Sequence, residues 1–326
     1  MDLDVVFLGT AASVPSASRG LSSVLVRRGG DRILIDCGEG TQRQLMRSTG
    51  LVELDAILIT HLHADHVLGL PGMLKSFGLR DRTAPLVLAG PAGLHRFWTD
   101  MRRAVIGTLP FDVELVTVHH EVAWYGEGYE IAAVPTEHGV PSVGWRLVEE
   151  DRPGRFDVDR ARELGVREGA DFGVLQRGGE VTTADGAVVT AEQVVGGARS
   201  GRCIVYSGDT SACSAIRDAS RDATLLVHEA TFLQEDVDRA ADTHHSTARD
   251  AALVAAAANV GMLALTHVSA RYAPRQLAEE AEEVFPGTIV ARDFDVVELP
   301  FPERGAPVHV PKGARARRGA TPEVSA

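Results

Sequence analysis

Seven residues, THLHADH at 60–66, constrain this chain more than any other feature. They set three imidazoles and a carboxylate, His61, His63, Asp65 and His66, directly after the apolar run AILIT. That density of nitrogen and oxygen donors exceeds what a single ion takes from one loop, and zinc favours such donors while keeping a position open for water at catalytic sites. His61 and His63 alternate and can face one ion, while Asp65 and His66 turn towards a second. The missing ligands must then come from other segments. His138 ends AAVPTEH, Asp209 ends RCIVYSGD and His267 ends MLALTH. Strand ends on one edge of a sheet are where separated segments converge. Any one of these residues alone would read as a core or turn residue. Asp209 is suited to bridge two ions, because a carboxylate has two oxygens to share.

The pattern around these motifs predicts an α/β protein. Short β-type runs come first (4–10, 22–28, 31–38 and 56–61), with helical stretches at TQRQLMRS, at LPGMLKSFGL and after Pro91. Strands return in FDVELVTVH, YEIAAVPTEH and SVGWRLVEE. Residues 151–201, rich in glycine and poor in apolar density, interrupt the rhythm as an inserted arm. Strands and helices then alternate, and TIVARDFDVVELP reads as one closing strand near residue 300. This order, strands in a group and then helices alternating with strands, occurs twice. It predicts two mixed sheets packed face to face with helices outside. The Pro, Gly and charge content of 301–326 predicts a disordered basic tail.

The formal net charge of −12 lowers the expectation of a nucleic-acid binder with a dominant basic face. The charge is uneven: residues 301–326 carry five cations against two glutamates, leaving −15 on residues 1–300. Three scattered cysteines, Cys37, Cys203 and Cys213, make no disulfide framework and point to a reducing compartment. The opening MDLDVVFLGT has acids where a signal peptide needs positive charge, and no apolar run nears the roughly 18 residues of a membrane span. A cytoplasmic location is expected.

HxHxDH followed by a lone His, a lone Asp and a last His resembles the metallo-β-lactamase superfamily. Within it, FLGTAASVPS, DCGEGTQRQL, THLHADHVLGLPGML, EHGVPSVGWRL, YSGDT, LVHEATF, HHSTARDAA and LTHVSARY are similar to the ribonuclease Z family of tRNA 3′-processing endonucleases, over residues 4–300. The resemblance implies a four-layer αββα sandwich over 1–300, with the arm 151–201 as a tRNA-binding exosite. It implies two Zn²⁺ per subunit, the first on His61, His63, His138 and Asp209, the second on Asp65, His66, Asp209 and His267. Asp65 would also be the general base. His245, in the HST triplet, would touch the scissile phosphate and assist the leaving group, with Glu229 as its partner. His244 is then a surplus surface histidine and Cys37 a packing residue. The implied reaction removes the 3′ trailer of precursor tRNA by attack of a metal-activated water. The implied assembly is a homodimer in which the arm of one subunit serves the site of the other.

Two segments depart from the family pattern. The Gly-Pro step usual near the tip of the arm reads Gly169-Ala170, and the arm holds seven Arg against nine Asp/Glu, leaving Arg167 and Arg177 as candidate phosphate contacts. The loop Pro15-Ser16-Ala17-Ser18-Arg19-Gly20 lacks the family's lysine and asparagine. These departures, with the acidic body, keep an alternative open: a small-molecule phosphodiesterase or arylsulfatase-like hydrolase on the same dinuclear centre.

Overall fold

The computed structural model describes residues 1–314. In the strand Leu3–Gly9, Val5 and Phe7 point to one side and Val6 and Leu8 to the other, and all four are at most 2% exposed. A strand buried on both faces has to lie in an inner layer. It sits in an eight-stranded sheet ordered Val308–Val310, Val296–Glu298, Leu3–Gly9, Ser23–Arg28, Asp31–Ile35, Ala56–Leu58, Leu86–Gly90 and Val113–Thr117. A second sheet of seven strands runs Ile289–Val290, Leu263–Thr266, Leu225–Glu229, Cys203–Tyr206, Val143–Glu149, Tyr129–Pro135 and Val122–Gly126.

Between the sheets, Val5, Phe7, Ile33 and Ile35 meet Ile131, Trp145, Ile204 and Val227 in one buried core. The outer face of the first sheet (Val6, Leu8, Leu34, Ile57) packs on Leu45 of the helix Thr41–Ser48 and on Met73, Leu74 and Phe77 of the helix Leu70–Leu79. The outer face of the second (Val205, Leu226, Leu263, Leu265) packs on the alanine side of the helix Ala248–Ala257 and on Leu277 of Pro274–Glu282. The four layers are therefore helix, sheet, sheet, helix. Cys37, Cys203 and Cys213 are free thiols, and among the described residues no helix is long and apolar enough to cross a membrane.

The inserted segment, Glu149–Gly201, forms a compact unit of its own. Its base is stitched by paired backbone hydrogen bonds between Arg152 and Arg199, both 2.8 Å. Above them are the helices Val158–Glu163 and Ala170–Gln176 and a hairpin of Glu180–Thr182 with Val188–Thr190. The low apolar density read from the sequence is enough for a small core of Ala161, Val166, Leu175, Val189 and Val194. Arg160 pairs with Glu163 at 3.0 Å and Arg162 with Glu168 at 2.7 Å. Arg167 and Arg177 are exposed and lack a carboxylate partner among the described residues.

Two expectations change at the C-terminal end. TIVARDFDVVELP is not one strand: Ile289–Val290 pairs with Leu263–Thr266 in the second sheet, while Val296–Glu298 pairs with Leu3–Gly9 in the first. The chain crosses between the sheets through a turn in which Asp295 N–H donates to Arg292 C=O at 3.0 Å. Nor does order stop at residue 300. Val308–Val310 pairs antiparallel with Val296–Glu298, because ladder bonds offered by a neighbouring strand outweigh the local signals of Pro307 and Pro311. The rest of the expected tail, 315–326, lies outside the described residues.

Candidate metal centre

The parallel strands Asp31–Ile35, Ala56–Leu58, Cys203–Tyr206, Leu225–Glu229 and Leu263–Thr266 all deliver polar residues from their C-terminal ends. After Ala56–Leu58 the chain presents His61, then winds into the one-turn helix Ala64–Val67, which carries Asp65 and His66. The Asp36–Cys37–Gly38 turn lies directly beneath. A Cβ on Gly38 would stand 2.3 Å from the Asp65 carbonyl oxygen, and one on Gly69 would stand 2.2 Å from the Gly38 carbonyl oxygen. Only glycine permits that approach.

The structure brings His61, His63, Asp65, His66, His138, Asp209 and His267 together, although they come from both sheets. His61 Nε2 is 2.9 Å from His63 Nδ1, and His138 Nε2 is 3.4 Å from the same atom. Asp209 Oδ2 lies 3.7 Å from His61 Nε2, 3.4 Å from His66 Nε2 and 3.3 Å from His267 Nε2. Asp65 Oδ2 is 3.6 Å from His66 Nε2 and 3.4 Å from His267 Nε2. Asp209 thus stands between the group His61, His63 and His138 and the group Asp65, His66 and His267, each with donor atoms within 4.8 Å of one another.

Four of the imidazoles are held by Nδ1, which leaves Nε2 pointing inward. His66 Nδ1 donates to Asp36 Oδ2 at 2.8 Å, and His267 Nδ1 to Thr231 Oγ1 at 2.9 Å. His61 Nδ1 meets Thr60 Oγ1 at 3.1 Å, and His138 Nδ1 donates to the His244 carbonyl at 3.0 Å. An oxygen acceptor on one ring nitrogen fixes the tautomer and raises the basicity of the other, as metal-binding histidines require. His66 Nε2 is fully buried and has no hydrogen-bond partner, yet it faces both carboxylates. Burial holds His61 far below the usual imidazole range, so its lone pair is free. Burial also opposes charge on His66, but Asp209 and Asp36 outweigh it and hold that imidazole well above its ordinary value. Asp36 and Asp209, both buried, draw positive charge into the cluster, and a metal ion held by neutral imidazoles would supply it in place of the proton on His66. Imidazole nitrogens with carboxylate oxygens suit a divalent first-row metal as cofactor.

Beside this cluster His245 Nδ1 donates to Glu229 Oε1 at 2.7 Å and lies 4.0 Å from Asp209 Oδ2. Burial would lower the pKa of His245, but the charge and hydrogen bond of Glu229 win, and it is pushed up to about 9. Glu229 is itself fixed by Thr210 N–H at 2.9 Å and Thr231 Oγ1–H at 2.7 Å. Asp65 Oδ2 accepts from Ser13 N–H at 2.9 Å. Burial works against ionisation of Asp65, and the hydrogen bond from His267 with the charges of His66 and His267 more than offsets it, so the carboxyl titrates well below the usual range. The His244 side chain is exposed, and its carbonyl rather than its ring serves the site. Cys37 is fully buried under the metal loop.

Sequence reading missed Asp36, Thr60 and Thr231, whose oxygens orient the ligands. Asp36 had a usable signal, an acid directly after the apolar strand DRILI, while its backbone φ of +57° is visible only in the structure. Thr231 had none, because the two histidines it meets lie 14 and 36 positions away in the chain.

Residues 19–267 match the family model of the metallo-β-lactamase superfamily. A ribonuclease Z from Haloferax volcanii is 46% identical over 305 residues, spanning 92% of this chain and 96% of that protein. One from Myxococcus xanthus is 44% identical over 302 residues, spanning 92% and 98%. Among solved structures, human tRNase Z, short form, superposes with a TM-score of 0.65 at 29% identity, covering 91% of this chain and 99% of that one. The metallo-β-lactamase fold protein YhfI from Bacillus subtilis superposes with a TM-score of 0.67 at 19% identity, covering 91% and 100%, a likeness of fold alone.

Proposed function

Because the chain belongs to the metallo-β-lactamase superfamily and, within it, to the ribonuclease Z family, we propose that it is an endoribonuclease that removes the 3′ trailer from precursor tRNA. The cut leaves a 3′-hydroxyl on the tRNA and a 5′-phosphate on the trailer. His245 carries this reading: held by Glu229 at 2.7 Å and 4.0 Å from Asp209, it sets a proton donor at the edge of the ligand cluster. A strand cleavage that expels a 3′ oxygen needs that donor. Two Zn²⁺, one on His61, His63, His138 and Asp209 and one on Asp65, His66, Asp209 and His267, would polarise the phosphate and make water acidic enough to attack.

The chain's own residues supply the proton traffic. Asp65, ionised and aimed by Ser13 N–H, takes the proton of the attacking water. His245, kept protonated by Glu229, gives one to the departing 3′ oxygen, a contribution of about 10²–10⁴-fold. Glu229→Gln is expected to slow cleavage about 10²-fold at pH 8. The protonated His245 is the active form and its pKa stands at about 9, so activity falls as pH rises through that value. Without the carboxylate the alkaline limb moves to lower pH. A pH–rate profile with an unmoved limb would detach Glu229 from His245.

The arm Glu149–Gly201 is the exosite in this proposal, with the exposed Arg167 and Arg177 meeting tRNA phosphates. Deleting 155–196 is expected to reduce precursor-tRNA cleavage far more than hydrolysis of bis-p-nitrophenyl phosphate. Equal loss on both substrates would make the segment structural. The working form is a cytoplasmic homodimer, for which the family resemblance is the support.

Mapping the cut in a labelled precursor tRNA, with bis-p-nitrophenyl phosphate turned over in parallel, tests the function. One cut at or near the discriminator base establishes it. Turnover of the small diester with intact precursor tRNA would instead favour the small-molecule hydrolase, the reading that the surplus of acids in the arm favours.

A further inference from the structure

The turn that carries the chain from one sheet to the other holds Phe294 at φ +74°, a backbone region that bulky side chains normally leave to glycine. Strain of this kind persists where surrounding structure imposes it and concentrates at functional sites. The surroundings here are firm. Phe294 N–H donates to Phe7 C=O at 2.6 Å. The acids on either side are spent inward. Asp293 accepts from Thr10 Oγ1 at 2.7 Å, Gly20 N–H at 2.6 Å and Gln44 Nε2 at 2.6 Å. Asp295 accepts from His309 Nε2 and Lys312 N–H, both at 2.9 Å.

What remains on the surface is aromatic and positive. The Arg47 guanidinium lies 5.0 Å and the Lys312 ammonium 4.7 Å from the centre of the half-buried Phe294 ring. Two adjoining cavities of about 750 and 780 Å³ share Ser18, Arg19, Asp293 and Lys312. Arg43, Arg47, Arg292 and Lys312, which line them, are exposed and have no ion pair among the described residues. Glu39 is the one exposed carboxylate among the lining residues described. This is a local concentration of unpaired cations on a chain whose net charge is −12. The loop 11–20, which follows the strand Leu3–Gly9, joins it to the candidate metal centre: its neck closes between Ala11 N–H and Gly20 C=O at 2.8 Å, Ser13 holds Asp65, and Ser18 and Arg19 line the cavities.

We propose that this groove binds single-stranded RNA, with Arg43, Arg47, Arg292 and Lys312 on phosphates and Phe294 as a stacking platform for a base. An aromatic ring among mobile cations is the arrangement that takes single strands without reading their sequence. Arg47 and Lys312 are long enough to leave the ring for phosphate oxygens as a base takes their place. That the bound segment belongs to the strand being cut rests on the endoribonuclease reading.

Fluorescence anisotropy with a labelled oligoribonucleotide of about ten nucleotides tests the groove in the full chain. Phe294→Gly is expected to weaken binding about tenfold while the melting temperature holds or rises, since glycine relieves the positive φ. Reversing two exposed charges, Arg47→Glu with Lys312→Glu, is expected to lower the slope of log affinity against log salt by about 1.4, roughly 0.7 per lost phosphate contact. Unchanged affinity and slope in both variants overturn the proposal. A large fall in melting temperature with Phe294→Gly assigns the ring to packing and overturns its role as a platform. Precursor-tRNA cleavage by the unaltered protein judges the function separately. Cleavage with indifferent groove variants removes only the groove, while oligonucleotide binding lost in both variants without precursor cleavage removes only the tRNA reading.

Discussion

Asp65→Ala is expected to slow precursor-tRNA cleavage by about 10³-fold or more, within the range a positioned general base supplies, while the far-ultraviolet circular dichroism stays that of the folded chain. Two jobs end together. The carboxylate faces His66 and His267 at 3.6 and 3.4 Å, and in the proposed mechanism it both holds one ion and accepts the proton of water. The loss should not spread to the fold, because Asp65 keeps some solvent contact and its one backbone hydrogen bond comes from the loop residue Ser13. A variant that turned over at near-normal rate would remove Asp65 from the base role. A variant that unfolded would show the loop to be a structural clasp.

Asp209→Ala is expected to do more. Its Oδ2 stands within 3.3–3.7 Å of three imidazole nitrogens, so it belongs to both ligand groups. On the two-zinc proposal, removing it should drop bound zinc, measured by elemental analysis, from about two per chain to one or none. Turnover should fall by about 10³–10⁴-fold or beyond, the worth of several kcal/mol of metal charge stabilisation. Asp209→Asn separates the charge from the shape, since it keeps one oxygen while losing the anion. Full zinc content and rate in the alanine variant would move the bridge elsewhere, with Asp65 the remaining acid in the cluster.

Much of the centre was legible in the sequence because its ligands sit where strands stop. An apolar run ending in His or Asp marks a strand end whether or not the partner strand is known, so His61, His138, Asp209 and His267 could be placed before any coordinates. The layer order followed from the repeated strand-then-helix order. What escaped depends on partners distant in the chain. Thr231 is an ordinary threonine until His245 and His267 are beside it. The run TIVARDFDVVELP has β-type composition throughout, and nothing local says that its halves pair in different sheets. Val308–Val310 is a strand only because Val296–Glu298 offers it an edge. The arm's core is five buried side chains with five partly buried ones packed on them, spread too thinly along 151–201 to raise local apolar density.

The pairing of Val6 with Val296 has a consequence for how the chain is made. A strand laid down at Leu3–Gly9 waits for its second neighbour until synthesis has passed Val296. In that interval Leu3–Gly9 can pair with Ser23–Arg28 on one side only, and its other side is an apolar edge open to any passing strand. Contacts of such long sequence separation form slowly and leave intermediates prone to aggregate. A synthesis that stops short of Val296 therefore yields a chain that already carries His61, His63, His66, His138 and His267 but has an uncapped edge. Yield in a cell should depend on how promptly synthesis reaches Val296 more than on any residue of the centre.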